Sequence, residues 1–371
     1  MSQSSQLVLH VWPGQWNLPS IDPSCLTAIL YLQLAIPGNF CISECTNPDL
    51  SPTGQLPFLT HLHNNISPLP PILKYISACL PSEKLPAPDL DSYLNASEKS
   101  QQVAWCAHVE ANLGDLVMHM FYSLNANWSR LTYTTIANML PIPQRYYVPA
   151  RMRESYRPRL EAVQLWNLPG IEQEEEKPHF WEREKLREPT ESDRKEKFKR
   201  VFEREKVLEK ARSSLDKYAR LLGEKRYFFS DRPTTIDVYI ASHILLLIDA
   251  PFPDPLLQTL LKESYPTLTA HARQIHLQAF PATGSNIPLL PPQSYTLRTL
   301  IPWPPAKTRK SKPKSKSEDD IRFDRMRWGW IAVAVFTAVF YIAQSGIVEA
   351  VRNLDNVDEE GEMLYVDEDE E

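Results

Sequence analysis

FFSDRPTTIDVYIASHILLLI, residues 228–248, decides how the rest of the chain is read. Thr234 stands where a helix N-cap belongs and Asp237 follows three positions on. The two make a capping box, with Asp in place of the commoner Glu or Gln. From Ile236 to Ile248 the segment is almost wholly apolar. A helix apolar on every side has no solvent face, so it belongs at the centre of a helical bundle.

The neighbours on both sides suit such a bundle. Downstream, LLQTLLKESYPTLTAHARQIH (256–276) predicts one or two further helices. Upstream, Val201, Phe202, Leu208, Ala211, Leu215, Tyr218 and Leu222 space out one face of a long helix that Gly223 ends. That face would cover its own core, or else dock a partner. Residues 172–197 mix charges of both signs densely and predict a solvated insertion. Earlier, residues 97–125 carry apolar side chains at Val103, Cys106, Val109, Leu113, Leu116, Val117 and Met120, again at helical spacing. NMLPIPQRYYVP (138–149) interrupts helix with three prolines, and RMRESYRPRLEAVQLW resumes it. An all-helical domain over 97–280 results.

The first eighty residues have another texture. QLVLHVW (6–12) alternates and is rich in β-formers. After PGQWNLPSI, Asp22 and Pro23 supply an N-cap and the proline favoured at the first helical position. Leu26, Ile29, Leu30 and Leu34 give that helix its apolar face, and Pro37-Gly38 closes it. FCISECT (40–46) predicts a second strand and LPFLTHLH (56–63) a third, entered through Pro57. Asn64-Asn65 signals a turn, a short strand fits around Ile66, and PPILKYISACL (70–80) suits a helix. The order β-α-β-β-β-α describes a thioredoxin-like domain over 1–85, and the chain as α+β. Such domains keep a cis-proline at the mouth of the third strand, which makes Pro57 the cis candidate.

The C-terminal region departs from both. Seven prolines in residues 281–305 predict an extended linker without a core, and KTRKSKPKSK (307–316) adds six basic residues, so 281–327 reads as a Pro-rich, then basic linker. Trp328 to Val348 runs twenty-one residues without a charge. As a helix it would span roughly 30 Å, the thickness of a bilayer's hydrocarbon core, with Trp328 and Trp330 at the interface. The tail, 349–371, holds eleven acids and one Arg. Lys and Arg beside a span stay cytosolic, so the body is expected to face the cytosol and the acidic tail to cross.

Composition narrows the chemistry. The net charge is −6 and is concentrated in the tail, which does not suggest a nucleic-acid-binding body. Five cysteines (25, 41, 45, 79 and 106) without a CxxC fit a reducing compartment. No signal peptide is visible in MSQSSQLVLHVW, so the sequons at Asn65, Asn95 and Asn127 carry no meaning in a cytosolic body. All ten glycines stand at least fifteen positions apart, which excludes GxGxxG, P-loop and GxSxG motifs. His61 and His63 would share a strand face, as would Cys41 and Cys45, but no third metal ligand accompanies the histidines and the cysteines read as packed thiols. No cofactor is expected.

A thioredoxin-like domain, a helical domain whose central helix opens on D-x-P-T-x-x-D, and YPTL near its end together resemble the glutathione-transferase superfamily. More narrowly, LVLHVWPGQWNLPSIDPSCL, SPTGQLPFL, LPIPQRYYVP and FFSDRPTTIDVYI resemble metaxin-type subunits of the mitochondrial sorting and assembly machinery, in the fungal membrane-anchored form. Residues 172–197 have no counterpart in that pattern. The resemblance implies a non-catalytic, cytosol-facing subunit of the mitochondrial outer membrane that helps insert, fold and release β-barrel precursors. Its implied partners are a barrel-forming core subunit and a second, smaller metaxin-like protein. The alternative is a membrane-tethered glutathione transferase, which would need an activated hydroxyl or thiol at the mouth of the first helix; Ser20, Ser24 and Cys25 lie there. It would also need an acid-plus-Ser pair after the fourth strand, where this sequence has Ile66 and Ser67, followed by Pro68. A tail-anchored adaptor of the endoplasmic reticulum shares the topology but not the motifs.

Overall fold

Leu9 lies at the middle of the sheet, opposite Ile42 on one side and Leu59 on the other, and is fully buried. The computed structural model describes residues 7–79, 89–166, 191–229, 231–281, 288–290 and 336–337 of the chain, without the side chains of 79 and 191–200. Strands β1 (Leu7–Val11), β2 (Phe40–Glu44), β3 (Phe58–His61), β4 (Asn64–Ile66) and β5 (Leu289–Leu290) form one mixed sheet in the order β4-β3-β1-β2-β5. β1 runs parallel to β2, as β2 does to β5, and antiparallel to β3, as β3 does to β4. Helix α1 (Pro23–Ala35) makes the crossover between the parallel pair and α2 (Leu69–Cys79) follows β4. Leu56–Pro57, Ser67–Pro68 and Ile142–Pro143 are cis.

Two readings of this half need correction. Asn64 and Asn65 are not the turn but part of β4; the chain turns through Leu62 and His63, with Leu62 at φ 56. His63 is therefore an exposed turn residue and shares no strand face with His61. Likewise β2 ends at Glu44, leaving Cys45 beyond it, where its thiol donates to the Asn47 carbonyl at 3.3 Å.

The remaining helices are α3 (Ala96–Met118), α4 (Asn125–Asn127), α5 (Tyr133–Met139), α6 (Gln144–Ala162), α7 (Glu191–Leu222), α8 (Thr235–Asp249), α9 (Leu256–Ser264) and α10 (Pro266–Ala279). Wide π-turns flank α4 at His119–Ser123 and Trp128–Thr132. Arg153 of α6 ties them together: it donates to the Tyr122 carbonyl at 2.8 Å and lies 5.0 Å over the Trp128 ring. The expected interruption falls between Met139 and Gln144, around Pro141 and Pro143, whereas α6 runs on through Pro149, and α7 already begins at Glu191, inside the stretch read as solvated insertion. Gly223 closes α7 at φ 55, a conformation that disfavours any other residue, with its amide on the Ala219 carbonyl at 2.8 Å.

α8 is the central helix. It packs against α1, α3, α9 and α10, and every residue from Thr235 to Ile248 is buried. The core it organises continues into the sheet half without interruption: the Thr27 hydroxyl of α1 lies 2.6 Å from that of Ser242 on α8, both fully buried. Met1–Trp303 cluster as one compact unit and Pro304–Glu371 as another. The expected linker is not all linker, because Leu289 and Leu290 pair with Ile42 and Ser43 at the sheet edge. Among the described residues no helix is long and apolar enough to cross a membrane. Trp328 to Val348 falls outside those residues except for Phe336 and Thr337, which are helical and exposed.

Candidate functional site

The corner between β1 and α1 is where an enzyme of this architecture would activate a thiol. Its loop is tightly wound. A Cβ on Gly14 would come within 2.5 Å of the Leu18 carbonyl oxygen, so only glycine fits there. Trp16 and Asn17 take left-handed conformations, φ 54 and 61, and the Leu18 amide closes the turn on the Gln15 carbonyl at 2.9 Å. Trp16 stacks on Phe121 with centroids 5.7 Å apart, which pins the loop to the helical half.

Asp22 then caps α1. Its carboxylate accepts from the Cys25 amide at 2.9 Å, satisfying a backbone donor that no helical carbonyl can reach. Burial raises the Asp22 carboxyl above its ordinary range, against the lowering effect of the amides it accepts from. Cys25, three residues on, is completely buried. Its thiol is pushed well up, first by burial and then by the negative charge of Asp22. A nucleophilic cysteine needs the reverse, an electropositive and accessible setting that favours thiolate. Ser20 is also fully buried and accepts from the Asp22 amide at 3.4 Å, while Ser24 is half-buried.

The second half of a glutathione site is no better provided. Ser67 is half-buried and accepts from the Thr53 hydroxyl at 3.1 Å, and its neighbour Ile66 offers no carboxylate. The depression in front of α1, lined by Trp16, Ile21, Asp22, Phe121, Tyr122 and Thr135 among others, offers only about 10 Å³ to a water's centre. That is about what one water needs, and a tripeptide would have to open it.

The structure spends its buried carboxylates on architecture. Asp237, read from sequence as half of a capping box, accepts from the Thr234 amide at 2.8 Å and the Thr234 hydroxyl at 2.5 Å. It also accepts from the Phe228 amide at 3.1 Å and from His271 Nε2 at 2.8 Å. Asp91 adds a second cap, accepting from the Thr235 amide at 3.0 Å and hydroxyl at 2.6 Å. Asp115 pairs with Arg159 at 2.6 Å, and its carboxyl is still raised because burial outweighs that partner. Asp254 holds Arg204 of α7 through both oxygens, while its amide donates to Asn127 Oδ1 at 2.7 Å. Those partners are 34 to 144 residues away, so no local motif announced His271, Asp91, Arg159 or Arg204.

The histidines follow suit. His10 stacks on Phe58 at 4.1 Å, and His10, His119 and His243 are each lowered to about 4 chiefly by burial. His61 Nδ1 meets the Tyr75 hydroxyl at 2.7 Å. Among the described residues no cluster of His, Cys, Asp or Glu could hold a metal ion.

A mixed sheet of this order packed on an α8-centred bundle is a glutathione-transferase-like fold, and the family model for the glutathione S-transferase C-terminal domain matches residues 211–275. A second family model, described as outer mitochondrial membrane transport complex protein, matches residues 25–153. Metaxin-1 of Macaca fascicularis is 27% identical over 285 residues, covering 77% of this chain and 78% of its own. Metaxin-1 of Mus musculus is 26% identical over 286 residues, covering 77% and 79%. Among solved structures, glutathione transferase GSTFuA2 from Phanerochaete chrysosporium aligns at a TM-score of 0.47 and 14% identity, covering 74% of this chain and 99% of its own. Over 77% of its length the chain is thus similar to metaxin-1, and over residues 25–153 to the outer mitochondrial membrane transport family model.

Proposed function

We propose that this metaxin-like chain is a non-catalytic subunit of the mitochondrial outer-membrane sorting and assembly machinery, supporting insertion, folding and release of β-barrel precursors. The observation that carries the non-catalytic part is Cys25, sealed under Asp22 with its thiol held protonated. The match of residues 25–153 to the family model described as outer mitochondrial membrane transport complex protein supports the location. On this reading Trp328 to Val348 anchors the chain once, with the body cytosolic and the tail 349–371 in the intermembrane space. Its partners are a barrel-forming core subunit and a second, smaller metaxin-like protein, with β-barrel precursors met directly or through them. Thr234 and Asp237 serve as structural markers of the central helix, and Pro57 as that of the third strand, rather than as a site.

The test is purification of the tagged full chain from mitochondria solubilised in mild detergent, with partners identified by mass. The reading expects a β-barrel protein and a smaller metaxin-like chain in stoichiometric amounts. Retention on immobilised glutathione with conjugating activity, and no barrel, would establish the membrane-tethered transferase instead.

A further inference from the structure

The apolar pattern of α7 changes sides part-way along. Val207, Ala211, Leu215, Tyr218 and Leu222 are at most 3% exposed and face the core. Val201 and Phe202 are 66% and 72% exposed. At about 100° per residue, Phe202 lies roughly opposite the middle of the buried stripe. The sequence reading had put both residues on the core face; the stripe begins instead at Val207, and Arg204 already holds the core side by binding Asp254.

Helical spacing puts Phe198 one turn before Val201 and Phe202, as the first member of an i, i+3, i+4 set. Around it, residues 194–200 (RKEKFKR) hold five basic residues and one acid. A long helix with an exposed apolar pair, Val201 and Phe202, next to a run of excess positive charge matches an interfacial helix on an anionic surface. An exposed apolar pair among mixed charges would need no such account; the basic excess confined to the same two turns is what selects the partner.

We propose that the first turns of α7 dock on the anionic lipid head groups of the membrane that holds the chain, with Val201 and Phe202 entering the interface and the basic residues of 194–200 meeting phosphates. The inference rests on the anchored reading given above. Two apolar side chains alone bind lipid weakly, but a chain already tethered presents them at high effective concentration, which makes a weak contact count.

The test uses the full chain in nanodiscs of neutral phosphatidylcholine or of the same lipid with anionic cardiolipin, following amide exchange of peptides covering 196–204. Exchange at least about tenfold slower over the anionic lipid, reversed near 1 M salt where charges are screened within about 3 Å, supports the contact. Its loss in Val201→Ser/Phe202→Ser, with exchange in α8 unchanged, supports it further. Equal exchange in both lipids overturns it. So does protection that arises only on adding a mitochondrial protein fraction, which would assign the patch to a protein groove. Failure of the chain to enter either nanodisc overturns the anchor reading instead. In that event, flotation with preformed anionic vesicles, abolished by the double variant, still supports the helix contact, and no flotation overturns it.

Discussion

The mouths of α1 and α8 are built to the same plan and differ in what surrounds their carboxylates. α1 buries eleven of its thirteen residues and α8 all but one of its fifteen, so both are central helices whose first amides need partners. At α1 the cap is Asp22, half-buried beside a shallow depression and bonded within its own turn. At α8 the N-cap is Thr234, and the carboxylate is that of Asp237 three positions on, fully buried and bonded to Phe228, to Thr234 and to His271 of α10. One carboxylate is bonded locally; the other joins helices. The α1 mouth is also closed to thiolate chemistry, because burial first and the Asp22 carboxylate second keep the Cys25 thiol protonated. The position that could host a thiolate has become a helix start.

The comparison can be broken first at Asp237. Asp237→Ala removes the acceptor shared by Phe228, Thr234 and His271 and leaves their donors buried without partners. The expected cost is about 3–5 kcal/mol, read as a large fall in urea midpoint. Thr234→Ala should cost about 0.5–2 kcal/mol, and the double variant less than the sum, because the two side chains meet in one bond. Strict additivity would deny the network.

Buried neutral histidines give the next effect. His119 and His243 have folded values near 4, below the ordinary 6.5, so the folded state resists taking their protons. Their stabilising contribution is whole above about pH 6.5 and is lost as pH falls toward 4, by about 3 kcal/mol for each. Urea midpoints measured from pH 7.5 to 4.5 should decline steeply, and His119→Gln should flatten the decline. An unchanged slope would mean that His119 does not stay neutral.

Asp22→Ala should show the smallest change, about 0.5–2 kcal/mol for a lost N-cap. It should lower the Cys25 thiol's proton affinity yet leave the thiol unlabelled by maleimide in the folded chain, since burial is the larger cause. Rapid labelling would mean that Asp22, not packing, seals the site.

How legible all this was depends on how local each feature is. The Thr234–Asp237 spacing, the Asp22-Pro23 helix start and the first three strands are carried by neighbouring residues, and a sequence displays them. The His271 and Asp91 contacts to α8 depend on segments distant in the chain, so they have no local signal. Leu289–Leu290 is a two-residue strand in a proline-rich stretch, too short for alternation to register, and only the open edge of β2 makes it a strand. Pro149 misled because helix-breaking is a cost, and burial of its ring offsets it. In α7 the apolar count was right and its phase wrong, because Val201 and Phe202 belong to a different face from Val207 onward. For the candidate site, Ile66 already betrayed the missing carboxylate and Cys25 read better as a packed residue than as a nucleophile, whereas the depth of its burial under Asp22 has no local signal.

The most direct measurement is calorimetric titration of glutathione into the purified, folded full chain. The account predicts no saturable heat up to a glutathione concentration of about 1 mM, the level at which even −4 kcal/mol of binding would register. A saturable isotherm below that concentration, abolished by Ser67→Ala or Cys25→Ala without loss of fold, would contradict it.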